Sequence, residues 1–236
     1  MSSREPSDAA TTADVADEHV RIGPVRLRVP AGSEVALDER GRKIWGHLAL
    51  RDFLALLAPG SSILDVGSGR LQLQAGIMRA SGFTPVTTDL GGDVDFPGSY
   101  ESVEFGREFD GIWCCHILEH ALNPHDFLLK LRRDVREGGL LAITVPTITE
   151  RLLRGHVNLF NAGIVLYRLV CAGVDCSSAL VSRYGANISV IVRVKKIEPC
   201  YPDASSLEDL APFFPVPVHQ RFNGDIRAVD TLRRGR

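Results

Sequence analysis

The segment 62-SILDVGSGR-70 limits the fold more than any other part of this chain. Ile63, Leu64 and Val66 flank Asp65 and run straight into Gly67-Ser68-Gly69. A short apolar run bounded by glycine reads as a strand buried on both faces. Glycines at 67 and 69 let the following turn pass close to a ligand. Strand-to-turn units of this kind belong to open parallel sheets, which hold ligands beyond the carboxyl ends of their strands.

The rest of the chain alternates accordingly. Residues 20–30 read as a short strand, and 40–57 as a helix carrying Ile44, Leu48, Phe53, Leu54 and Leu57, ended by Pro59-Gly60. A helix over about 71–80 precedes a strand at 84–90 that ends in Asp89, and the next clear strand is 109-FDGIWCC-115. Asn123-Pro124 is a helix start, and Gly138-Gly139 closes that helix before the apolar strand 140-LLAITVP-146. A helix over 160–172 and two strands flanking Gly185-Ala186 complete the pattern. It predicts an α/β fold, doubly wound, with a mostly parallel, seven-stranded, Rossmann-like sheet and a C-terminal antiparallel hairpin. Only 20 residues separate Asp89 from Asp110, too few for a full helix, strand and helix, so one sheet edge should be pared down. One domain is expected over 21–226, with a disordered lead at 1–20 and a flexible tail at 227–236.

Composition narrows the function. A formal charge of −2 gives no electrostatic reason for a nucleic-acid partner. No apolar run reaches the roughly eighteen residues of a membrane span, so no membrane partner is expected. Five cysteines, an odd number without a CxxC pair, argue against a disulfide scaffold and fit a reducing cytoplasm. A small or neutral substrate follows, and a homodimer is compatible with the sequence.

Asp65-x-Gly67-x-Gly69, the acidic strand end at Asp89 and the strand leading into 116-HILEH-120 together resemble the class I S-adenosylmethionine-dependent methyltransferases. The segments 155–193 and 212–226 look like a bacterial group associated with polysaccharide and secondary-metabolite genes. By that resemblance the donor S-adenosylmethionine would contact Asp65, Gly67, Gly69, Asp89, Leu90 and Cys115, with Asp89 on the ribose hydroxyls. The third glycine of the family pattern is replaced by Leu71, and Asp95 is a candidate for the acid near adenine. A nicotinamide-binding domain is the competing reading, but its G-x-G-x-x-G needs glycine where this chain has Gln72. A methyltransferase-like scaffold without activity is a third.

His116, Glu119 and His120 stand in the order H-x-x-E-H, which alone is a zinc-peptidase signature. Peptidases carry it inside a long helix, whereas here it directly follows a strand and precedes Pro124. One helical turn would put the three side chains on a single face. A similar E-x-x-E-H arrangement with a distant histidine binds a divalent cation in some O-methyltransferases. The resemblance therefore implies metal ligands at His116, Glu119, His120 and His156. Three imidazoles and one carboxylate suit a divalent transition metal (zinc, iron, manganese or nickel) better than magnesium. Without a metal, His116, His120 and His156 are the candidate catalytic bases. Asn158, Asn161, Asn187 and Tyr184 are weaker candidates for substrate contact. The expected activity is O-methylation of a hydroxyl on a small-molecule or saccharide acceptor.

Overall fold

The structure is a computed structural model that describes residues 17–200 and 205–233. The expected lead at 1–20 lies almost wholly outside them, as do residues 234–236 of the expected tail.

The chain opens with a small antiparallel sheet of β1 (Glu18–Ile22), β2 (Val25–Val29), β3 (Ala36–Leu37) and β4 (Lys43–Ile44). The single strand expected over 20–30 is thus a hairpin, and its first strand begins inside the expected lead. It turns at Gly23, with φ +55°, where any Cβ would meet the Ser81 hydroxyl at 2.4 Å. That close approach seats the small sheet on the main domain. β4 then delivers Trp45 to the ligand face.

α1 (His47–Leu56), β5 (Ser62–Val66), α2 (Leu73–Ala80), β6 (Thr84–Asp89) and a two-residue β7 (Phe96–Pro97) follow. Next come β8 (Phe109–Cys115), α3 (Pro124–Asp134), β9 (Val135–Pro146) and α4 (Ala162–Cys171). The hairpin β10 (Leu180–Tyr184) and β11 (Asn187–Arg193), a short α5 (Leu207–Leu210) and β12 (Ala228–Asp230) complete the described chain. The main sheet runs β12-β10-β11-β9-β8-β5-β6-β7. The strands from β9 to β7 pair in parallel, whereas β11, β10 and β12 are antiparallel additions.

Strand order reverses between β5 and β8, so the crevice of an open α/β sheet lies above their carboxyl ends. Side chains alternate between two buried layers: Ile63, Trp113, Leu140 and Ala142 face α1 and α2, while Leu64, Ile112, Leu141 and Ile143 face α3 and α4. Burial on both faces accounts for the near-continuous apolar runs.

Two details differ from the sequence reading, and one expectation takes a definite form. Gly138-Gly139 lies within β9 and does not close α3, which ends at Asp134. A Cβ at Gly139 would sit 2.9 Å from the Asp110 carbonyl, so glycine is needed where β9 crosses the irregular start of β8. Residues 228–230, expected in a flexible tail, form an edge strand on β10. The pared-down edge is β7 and a single 3-10 turn at Tyr100–Ser102.

That reduced edge is braced from below. Lys130 and Asp134, one turn apart on α3, form a buried ion pair at 2.8 Å, and the Tyr100 hydroxyl donates to the same Asp134 oxygen at 2.8 Å. The Lys130 ammonium also lies 4.6 Å from the Tyr100 ring centroid. Removing one member leaves a buried charge without its partner, at a cost of about 3–5 kcal/mol. Asp134→Ala should lower the unfolding free energy by that amount, measured by equilibrium urea unfolding; an unchanged value would show that the edge does not depend on this network.

Candidate functional site

The glycine turn is built by the parallel pairing of β5 and β6. Gly67 and Ser68 donate their backbone N–H groups to the Thr88 carbonyl, at 2.9 and 3.1 Å, one step beyond the regular ladder. Gly69 N–H then donates to the Asp89 carboxylate at 2.9 Å. Both glycines have φ +70°, a conformation that side chains with a Cβ resist. At Gly67 the need is steric as well, since a Cβ there would lie 2.0 Å from Ile117 Cδ1. The left-handed residue that opens α2 is Gln72, while Leu71, at the position of the missing glycine, points to solvent.

Two hollows meet at Gly67. One is walled by Asp89, Leu90, Tyr100, Ile117, His120 and Phe127. The other is walled by Trp45, Ser68, Gly69, Gln74, Cys115 and His116. All six residues expected at the donor are placed on this face or beneath it. Asp65 is buried under the turn with Oδ2 unpartnered, and the Ser68 and Thr88 hydroxyls beside it are also buried without partners. Such unpaired polar atoms are rare away from ligand sites. Burial pushes the Cys115 thiol up to about 12 although Gln74 hydrogen-bonds to it, so Cys115 is an uncharged wall and not a nucleophile.

Asp95 lines neither hollow. Its carboxylate accepts from the Thr87 amide and hydroxyl, both at 2.8 Å, and serves to pin the chain after β6. Ser99, Tyr100 and Glu101 line the hollow instead, a placement that only the reduced edge reveals.

The H-x-x-E-H segment is not a helical turn. The His116 N–H still donates across the sheet to the Thr144 carbonyl, at 2.8 Å, and the chain then reverses with His116 at φ +57°. Leu118–His120 forms a 3-10 turn. The reversal nevertheless gathers the group. Glu119, His120 and His156 offer ligand atoms within 4.8 Å of one another, and the His120 and His156 rings meet edge to face at 4.9 Å. His116 stands outside that trio on the far side of Glu119, its Nδ1 3.3 Å from Glu119 Oε1. Glu119 is fully buried, and beyond that 3.3 Å approach of His116 Nδ1 to Oε1 its carboxylate has no hydrogen-bond partner.

Backbone bonds staple the segment carrying His156 to this turn. The Val157 and Asn158 amides both donate to the Glu119 carbonyl, and the Asn158 side chain donates to the Ala121 carbonyl at 2.7 Å. His120 Nδ1 is bound to the Gly155 carbonyl at 2.8 Å, which leaves Nε2 towards Glu119. Asn161 caps α4, and the Tyr184 hydroxyl receives the Ala49 amide, so both are structural. Asn187 contacts His116, with Oδ1 at 2.9 Å from Nε2. Trp45, unmarked in the sequence reading, places its ring 5.2 Å from that of His116. Burial opposes protonation of His116, but its contacts with Glu119 and Asn187 outweigh burial and raise its pKa above the ordinary histidine value.

Asp65 has a measurable signature. Burial raises its pKa to about 7, against the pull of Arg79 and with help from the Asp89 charge. A carboxyl raised in the folded state stabilises fully below its unfolded value and loses that contribution as pH rises through its folded value. The ligand-free protein should therefore lose on the order of 4 kcal/mol between about pH 4 and pH 7 from this group alone. Asp65→Asn should remove that fall, read as the difference between variant and parent urea midpoints across the range; parallel curves would contradict it.

Known proteins match the same segments. A family model described as a methyltransferase domain matches residues 38–211. The mitochondrial ubiquinone biosynthesis O-methyltransferase of Schizosaccharomyces pombe is 31% identical over 115 residues, which cover 48% of this chain and only 39% of that protein. The 1,6-didemethyltoxoflavin-N1-methyltransferase of Burkholderia thailandensis, solved with 1,6-didemethyltoxoflavin and S-adenosylhomocysteine, aligns with a TM-score of 0.53 at 16% identity. That alignment covers 64% of this chain and 77% of that one, and it shows a shared fold. Among the described residues no helix is long and apolar enough to cross a membrane. With the family model spanning the glycine turn, Asp89 and the histidine turn alike, the chain belongs to the class I S-adenosylmethionine-dependent methyltransferases.

Proposed function

We propose that this chain transfers a methyl group from S-adenosylmethionine to a hydroxyl oxygen of a small molecule or saccharide, in a natural-product or polysaccharide pathway. The observation that carries the reading is the cluster of Glu119, His120 and His156 at the edge of the hollow shared with Asp89 and Gly67. Asp89, oriented by Gly69, presents its carboxylate to the ribose hydroxyls. The unpartnered atoms of Asp65, Ser68 and Thr88 await polar groups of the donor or its water shell.

Methyl transfer is an in-line displacement, so the acceptor oxygen must be held in line with the sulfur–carbon bond. The oxygen–carbon bond forms as the sulfur–carbon bond breaks, and the hydroxyl proton must leave. His120 Nε2, freed by the Nδ1 contact with Gly155, is placed to take it. An amine acceptor would need less of this machinery. The names of the two similar proteins differ on the acceptor atom, oxygen in one and nitrogen in the other, so the histidine cluster is what favours oxygen here.

Incubation with methyl-13C donor and a panel of hydroxylated sugars and phenols should give an oxygen-bound methyl resonance and equimolar S-adenosylhomocysteine. His120→Ala should slow the reaction by about 10²–10⁴-fold. Methylation at nitrogen would overturn the oxygen reading, and donor binding without transfer to any acceptor would favour a scaffold.

A metal-assisted form of the same reaction has its own support in Glu119, whose buried carboxylate is approached by imidazole nitrogens of His116 and His120 at 3.3 and 4.0 Å. A buried carboxylate of this kind calls for a cation. Glu119, His120 and His156 would hold a divalent ion, which when bound would lower the pKa of an acceptor hydroxyl. Elemental analysis of tag-free protein purified without chelator should find one transition-metal ion per chain. Full activity after exhaustive chelation, or in a His116→Ala/His156→Ala variant, would contradict this form.

A further inference from the structure

Two tryptophans serve this chain, and one of them reaches the ligand face. Trp113 is fully buried in the layer facing α1 and α2, whereas Trp45 lines the second hollow with 38% of its surface exposed. An indole is a large apolar surface to hold open to water beside a site.

Trp45 is nevertheless held firmly. The Gln74 side chain donates to the Trp45 carbonyl at 2.7 Å and accepts from the Trp113 indole at 3.1 Å, which settles the orientation of the amide. Gly46, at φ +63°, brings the following backbone against the end of β8, where a Cβ would lie 2.8 Å from Cys115 Sγ. The His116 ring bounds the indole at 5.2 Å, tilted by 56°, so the two rings lean together without stacking.

The charges around this hollow are one-sided. Its walls carry Lys43, Arg70 and His116 and no carboxylate. Asp89 lines the other hollow, and Asp65 is buried under the glycine turn. Because the hollows meet at Gly67, a donor held by its ribose at Asp89 has the second hollow for its methionine arm. Lys43 and Arg70 suit the carboxylate that ends that arm. The sulfonium is positive and meets no anionic wall residue. What the walls do offer a cation is the face of Trp45, and indole attracts cations more strongly than the other aromatic side chains.

We infer that Trp45 contacts the donor, its indole face meeting the sulfonium centre, so that the site tells S-adenosylmethionine from the product that lacks this charge. The inference rests on the donor site read above, with the ribose at Asp89. It gives the small N-terminal sheet a direct part in donor recognition, since β4 carries Lys43 and leads into Trp45.

The test titrates the full chain calorimetrically with S-adenosylmethionine and with S-adenosylhomocysteine, without acceptor, in wild type, Trp45→Leu and Trp45→Phe. Leucine keeps an apolar contact but no ring, whereas phenylalanine keeps a ring. Trp45→Leu should weaken S-adenosylmethionine about tenfold more than S-adenosylhomocysteine, and Trp45→Phe should recover most of that difference. Equal losses for the two ligands, or no loss, would reduce Trp45 to a wall residue and sink the inference while the donor site stands. Binding of neither ligand by wild type would defeat the donor site and the inference with it. Fluorescence of the wild type decides even if the variants do not fold. Trp45 is exposed and Trp113 is not, so acrylamide quenching reports on Trp45. Saturating S-adenosylmethionine should abolish most of that quenching; unchanged quenching would overturn the inference.

Discussion

The pairing of β5 with β6 continues one step past its ladder, and the ligand face depends on that step. Because the Thr88 carbonyl accepts from both Gly67 and Ser68, the turn is drawn over the end of β6, and Gly69 reaches the Asp89 carboxylate. The acid is thereby fixed by backbone, not by a flexible side-chain partner. A Cβ at Gly67 would collide with Ile117, so the same glycine that permits the turn also admits the histidine segment against it. The glycine turn and the histidine segment are thus locked together through one residue without a side chain.

In the histidine segment the organising event is a chain reversal. β8 donates one more sheet hydrogen bond from His116 and then turns left-handed, which no helical start would do. Glu119 is carried into the interior, where water cannot solvate it, and imidazoles approach from two directions. A carboxylate so placed is expensive unless something positive or a donated proton reaches it. That cost, rather than the letters of the motif, is the physical argument that the group acts chemically.

Much of this was legible in residues alone. The buried strand and Gly-x-Gly identified the open sheet, and the short spacing between Asp89 and Asp110 foretold the reduced edge. His120, Glu119 and His156 were brought together as the motif suggested. What stayed hidden depends on tertiary placement. Helical spacing misplaced His116, because a sheet hydrogen bond to Thr144 overrode the local turn preference. Asn187 is the lone amide opening an apolar strand, and nothing in its neighbours says that a histidine 71 positions away needs an acceptor. Trp45 reaches the site through the small N-terminal sheet, whose four short strands carry little periodicity. The Gly138-Gly139 pair was misread for the same reason: it answers to a strand crossing and not to its own segment.

The central claim is that the Asp89-anchored glycine turn holds the methyl donor. Calorimetric titration of wild-type protein and Asp89→Ala with S-adenosylhomocysteine and, separately, with NAD tests it most directly. Saturable binding of S-adenosylhomocysteine by wild type, at least tenfold weaker in Asp89→Ala by about 1.4 kcal/mol or more, with no NAD binding, is the predicted result. Tight NAD binding, or S-adenosylhomocysteine affinity that ignores Asp89, would contradict it.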